Sequence, residues 1–210
     1  MLANDITFKA SDFGADNCLQ VKYTSIGYNG KQLKEIAEIG LAGTFNGLGY
    51  TLKNLVIGEG GMFGNISGQG TIKNLSIANA KFKVTPWKTT GIVANSMSGT
   101  LENINIDVDF EKISFASNYV NSTAIAYHVH DIKMTNVYIS VRNVADGHCT
   151  IAYWVTGDSN KIQDVIINDT TNPYIVAKEG NASDAFSKIN GVGQFDTSNK
   201  DVMVDDSVWY

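Results

Sequence analysis

The chain has 210 residues, 43% of them hydrophobic, which is ample for one sizeable core and modest for two. Its 16 Lys and Arg against 21 Asp and Glu leave a net charge of −5, so an extended phosphate-binding surface is excluded and neither nucleic acid nor an anionic membrane is an expected partner. Charged residues make up 18%, below the roughly 25% usual for soluble domains, while Asn, Gly, Ser and Thr are plentiful and Pro is scarce, a composition that favours strands and turns.

No run approaches the eighteen or so apolar residues of a membrane span, so no membrane insertion is expected. The opening MLANDITFKASDF lacks the basic and apolar blocks of a secretory signal. Cys18 and Cys149, distant in sequence, read as two small apolar groups rather than as a disulfide framework.

In chain order, residues 1–39 carry no repeat. Within them GKQLKEIAEIG sets Leu33, Ile36 and Ala37 on one side of a predicted two-turn helix that Gly40 ends. This segment is expected to be an N-terminal cap, followed by a single repeat domain over residues 40–210.

The repeat announces itself at Thr51–Ile57 (TLKNLVI), which is echoed at Thr71–Ile77, Thr100–Ile106, Lys133–Ile139 and Lys161–Ile167. The fourth residue of each copy is Asn54, Asn74, Asn103, Asn136 and Asp164, at separations of 74−54=20, 103−74=29, 136−103=33 and 164−136=28. A second apolar stretch precedes each later copy: GMFGNI at 61, GIVANS at 91, TAIAYH at 123 and TIAYWV at 150. Each unit therefore holds at least two strands.

Strand alternation sends Leu55, Leu75, Ile104, Val137 and Val165 inward, with Ile57, Ile77, Ile106, Ile139 and Ile167 two residues on. Between them Val56, Ser76, Asn105, Tyr138 and Ile166 face out. One such strand cannot bury its apolar face alone, whereas successive turns of a coil lay like residue over like. The predicted fold is thus all-β, a parallel β-helix of about five or six coils with a short helical N-terminal cap.

The Asn column marks a bend, because Asn and Asp tolerate the left-handed backbone and stacked amides can bond from rung to rung. Propeller blades would need longer, evenly spaced units and leucine-rich repeats a Leu-x-x-Leu-x-Leu run. An antiparallel sandwich would need hairpin signals, but Asn-Gly occurs only at 29–30, 46–47 and 190–191. Towards the end, AFSKI at 185 and the closing DVMVDDSVWY read as a last coil and its cover.

From Phe45 to Phe110 the text FNGLGYTLKNLVI, GMFGNISGQGTIKNLSI and GIVANSMSGTLENINI resembles the GLUG-type repeats of bacterial surface proteins. The shared features are the Phe-x-Gly-x-Gly-Tyr-Thr entry, the Gly-apolar-Phe-Gly strand at Gly61–Gly64 and the Asn-Leu phrase. The resemblance implies a right-handed parallel β-helix acting as an extracellular or surface-appendage scaffold or binding module, with no catalytic motif. The later coils keep the columns but not the glycines.

Enzymatic β-helices, to which the fold is also similar, cleave acidic polysaccharides with Asp clusters on an outward face. Asp107 and Asp109, two apart on one strand, fit that alternative of a lyase, hydrolase or trimeric tailspike-like depolymerase. A carboxylate pair also suits calcium, but no calcium-loop motif accompanies it, so no cofactor is expected. Column alignment sets Arg142, the one arginine of the chain, beside Asp109 as an exposed ion pair contributing about 0.5 kcal/mol.

A metal site is not expected either. With Thr123 over Thr150, His148 precedes its strand while His128 lies near the far end of the neighbouring one, roughly 20 Å away at about 3.3 Å per residue. His130 falls in the same region. Neither a G-x-S-x-G elbow nor a phosphate-binding loop occurs.

Aromatic residues supply the better binding case, since flat side chains lose little entropy when they hold a sugar ring or a peptide. Trp87 lies in the Pro-containing KVTPWKTTG, and the same alignment places Tyr127 and Trp154 side by side on adjacent coils, with Tyr138 and Tyr153 extending the surface. The competing expectation buries Tyr127 and Trp154 as a stacked core pair. The expected function is adhesin-like and non-enzymatic, outside the cell, with a glycan or a protein as ligand; the state of assembly is left open.

Overall fold

A computed structural model describes residues 2–9, 41–57, 61–82, 89–109, 121–142, 151–157 and 159–168. The strands are β1 (Ile6–Thr7), β2 (Thr44–Asn46), β3 (Thr51–Lys53), β4 (Val56–Ile57), β5 (Asn65–Ile66), β6 (Thr71–Phe82) and β7 (Thr89–Gly91). They continue as β8 (Ala94–Met97), β9 (Thr100–Asp109), β10 (Asn121–Thr123), β11 (Ala126–His130), β12 (Lys133–Arg142), β13 (Ala152–Thr156) and β14 (Lys161–Asn168). Every pairing is parallel, and no helix occurs among the described residues.

A long sheet runs β1-β3-β6-β9-β12-β14, with β2 and β4 also on β6. A second runs β13-β11-β8-β5, and β7 pairs with β10 in a third. The chain steps repeatedly from second sheet to long sheet, and the described strands complete about three turns of a β-solenoid. The predicted cap helix and closing coil lie outside the described residues. Ile6–Thr7, within the expected cap segment, pairs with Leu52–Lys53 as an outermost strand. Asp5 holds that edge by accepting the Thr51 N–H at 2.8 Å and Lys53 Nζ at 3.0 Å.

The inward columns are as the alternation required. Leu75, Ile104, Val137 and Val165 stack in register, as do Ile77, Ile106, Ile139 and Ile167, all buried. Opposite them Ile66, Met97, Val129 and Val155 stack from the second sheet, closing one core. Gly91 sits where a Cβ would run into the Ile125 carbonyl and Ala126, so its lack of a side chain permits the rung spacing there.

The five column residues all lie in the left-handed region: Asn54 at φ 61°, Asn74, Asn103 and Asn136 at 53°, and Asp164 at 52°. Asn136 Nδ2 donates to Asn103 Oδ1 at 2.9 Å, and Asn103 Nδ2 to Asn74 Oδ1 at 2.9 Å. Asn74 Nδ2 continues to Asn46 Oδ1 at 3.0 Å. Asp164 has no side-chain N–H to donate and so does not extend the chain of amide donors.

The first rung corrects the expected alignment. Thr51–Ile57 does not lie over Thr71–Ile77: Thr44–Asn46 pairs with Thr71–Lys73, Thr51–Lys53 with Ser76–Ala78, and Val56–Ile57 with Lys81–Phe82. The reason is the turn at Asn46–Tyr50, where Leu48 and Gly49 take positive φ of 56° and 81° and advance the next strand along β6. Asn46, not Asn54, heads the ladder. Asn54 instead accepts from Asn79 Nδ2 at 2.8 Å, and Asn79, itself at φ 53°, sits at a register shift in β6. Leu55 and Ile57 remain buried, in a different register.

Candidate functional site

The aromatic candidates do not form one surface. Tyr138 lies on the outward side of the long sheet between Asn105 and Ile166. Trp154 lies on the outward side of the second sheet, 41% exposed, so it is not a core residue. Tyr127 is half-buried. Trp87 and the side chain of Tyr153 lie outside the described residues.

The expected pairing of Tyr127 with Trp154 is also corrected, because the register of β11 on β13 is Ala126 to Ala152, His128 to Trp154 and His130 to Thr156. In this register Ala94, Ala126 and Ala152 stack fully buried, small residue over small residue. The offset becomes 26 rather than 27 residues (152−126=26 against 150−123=27), and a slip of one position exchanges the partner of every side chain.

That register assembles a polar cluster beside Trp154. Val129 points into the core, so His128 and His130 both point out. His128 Nε2 and His130 Nδ1 each lie 2.9 Å from the same atom, Thr156 Oγ1. His130 Nε2 is 3.4 Å from Asp131 Oδ2, and Asp131 Oδ1 accepts the Ser159 N–H at 2.8 Å. Asp131 takes a left-handed φ of 51° in the bend from β11 to β12, and the backbone of Gly157 passes so close that a Cβ there would strike its carboxylate. Trp154 meets the His128 ring edge-on, centroids 6.4 Å apart at 61°.

A single hydroxyl proton cannot serve two imidazoles. One arrangement that serves both rings has the His130 proton on Nε2 facing Asp131, its Nδ1 accepting from Thr156, and His128 Nε2–H donating to Thr156, whose hydroxyl has the Val129 carbonyl oxygen at 3.4 Å as its other acceptor. Burial, and secondarily the charge of protonated His130, lower the pKa of His128 from its ordinary 6.5. The unfolded chain then takes up a proton near pH 6.5 while the folded chain stays neutral to lower pH. Stability is accordingly expected to fall as pH drops from 6.5 towards the folded pKa, and that component should disappear in His128→Gln. Urea midpoints at pH 7.5, 6.5 and 5.5 check this; parallel curves for the two proteins would refute it.

The acidic pair is a different cluster. Arg142 is in register with Asp109, as aligned, but its guanidinium grips Asp107, Nε to Oδ1 at 2.8 Å and Nη2 to Oδ2 at 3.1 Å. Nη2 also donates to Asn79 Oδ1 at 2.8 Å. Asp109 is buried, with Arg142 Nη1 at 3.8 Å and Lys81 Nζ at 3.7 Å from its carboxylate. The expected simple exposed pair is therefore a network over several rungs, and it holds both carboxylates beside cations.

Sequence reasoning missed the cluster of His128, His130, Thr156 and Asp131. Its one legible signal was His-Val-His, an alternation that puts two imidazoles on one strand face. Thr156 could be added only once the register was known. No protein-family model, curated protein or solved structure matches this chain.

Proposed function

We propose that this chain is a non-enzymatic, adhesin-like binding module exposed outside the cell, in which a right-handed solenoid of about five or six coils, more than the turns described, presents an aromatic platform to a glycan. One observation carries the reading: the Trp154 indole stands exposed on a parallel sheet, bordered by imidazole and hydroxyl groups on one side. A sugar ring has an apolar face that stacks on such an indole and hydroxyls that need neighbouring donors and acceptors. The buried column of Ile66, Met97, Val129 and Val155 backs that sheet, so little entropy is lost on binding.

The test is retention on a panel of neutral and acidic polysaccharides. Trp154→Ala is expected to weaken binding roughly thirtyfold, about 2 kcal/mol, as for an interface anchor. Unchanged retention would remove Trp154 from the site. New reducing ends or unsaturated sugars that vanish in Asp107→Ala and Asp109→Ala would replace the binding module with a depolymerase.

A further inference from the structure

We propose that His128 and His130 form a binding site for a borderline divalent transition-metal ion, Cu(II), Ni(II) or Zn(II), on the outward face of the second sheet. Asp131 serves as the carboxylate that orients His130. The site shares His128 and Thr156 with the border of the Trp154 platform, but it rests on observations of its own.

The argument begins with convergence. Two imidazole nitrogens on alternate residues of one strand each lie 2.9 Å from a single oxygen, so they are at most 2.9+2.9=5.8 Å apart and aimed at a common point. An ion held by two imidazoles at about 2.0–2.1 Å needs them within about 4 Å. Ring rotation can supply the closure while the strand, paired on both sides, stays in place. The Thr156 hydroxyl stands at the point of convergence as a third, weaker donor. Imidazole donors suit copper, nickel and zinc rather than calcium or magnesium.

The second observation is the outer carboxylate. Histidines that bind metals donate their other ring N–H to a carboxylate, carbonyl or water, which fixes the tautomer and raises ligand basicity. His130 Nε2 lies 3.4 Å from Asp131 Oδ2, close enough for a small ring adjustment to make that bond, while Nδ1 faces the point of convergence. Asp131 is in turn braced by the Ser159 N–H. On His128 the ion takes the place of the Nε2 proton, which moves through solvent to Nδ1, so a neutral imidazole remains the ligand.

No group of three or more His, Cys, Asp or Glu able to hold an ion occurs among the described residues. The site is therefore an open one, with two imidazoles and a hydroxyl, and water or an exogenous group completing the shell. That fits a surface site exchanging its ion with solution rather than a closed structural centre.

The experiment is titration calorimetry of the full chain, stripped with chelator, against CuCl2, NiCl2 and ZnCl2. One saturable site is expected, tightest for copper. His128→Ala and His130→Ala should each lose affinity tenfold or more, by about the same factor as a removed supporting carboxylate costs at the low end. Asp131→Asn keeps a residue tolerant of the left-handed bend and an oxygen for Ser159, yet should lose roughly tenfold. His148→Gln should change nothing. In the unsubstituted chain, substoichiometric Cu(II) should broaden the amide signals of residues 128–131 and 154–156 first, a readout that needs no variant to fold. Absence of saturable binding by all three ions, full affinity in the double alanine variant, loss in His148→Gln, or broadening centred elsewhere would each overturn the site.

Discussion

Replacing Ile106 by alanine is expected to cost roughly 2–5 kcal/mol, whereas Ser76→Ala should stay within about 0.5 kcal/mol. Ile106 is fully buried, with Ile77 and Ile139 in register on either side, so the deleted methyl groups leave a hole that two flanking rungs border and neither can fill. Ser76 is one position from Ile77 on the neighbouring strand, half-buried and facing out between Thr51 and Asn105. The contrast tests the face assignment directly. Ile106→Val should cost only about 0.5–1.5 kcal/mol, because one methyl is lost rather than three carbons. Urea unfolding followed by far-ultraviolet circular dichroism measures all three, and equal losses at 106 and 76 would show that the faces have been exchanged.

Asn103→Ala should lower stability by roughly 1–3 kcal/mol without altering ligand affinity. Two separable effects combine. The backbone at φ 53° is one that asparagine tolerates and alanine resists. The amide also donates to Asn74 and accepts from Asn136, so its removal leaves an oxygen and an N–H on two other rungs without their ladder partners. Asn103→Gly restores the backbone freedom but not the amide, and is expected to recover part of the loss. Stability unchanged in Asn103→Ala, with binding abolished, would make the column a ligand-facing ladder instead of a structural bend.

Asn54 and Asn74 both follow Thr-x-Lys, yet aligning them gives a separation of 20 where the later ones are 29, 33 and 28. The residue that accepts the Asn74 amide is Asn46, and 74−46=28 falls within the later spacing. Coil length was the better guide, since a rung must travel the whole perimeter of the solenoid before returning to its column, and a shared phrase carries no such requirement.

Sequence by itself determined the period-two columns, the parallel stacking they demand, and the left-handed conformation at Asn74, Asn103, Asn136 and Asp164. These follow from local chemistry: an apolar side chain at every second position must find a partner, and Asn or Asp is what a left-handed bend admits. Only the tertiary structure decided the register of the second sheet and of the first rung, on which Trp154 beside His128 and two imidazoles on one Thr156 hydroxyl depend, and the diagonal reach of Arg142 to Asp107 within a long-sheet register already legible. The physical reason is that outward side chains exert little demand of their own on strand register. The buried residues of each rung and the turn at Asn46–Tyr50 carry that demand, and the surface site is what the inner packing leaves in place.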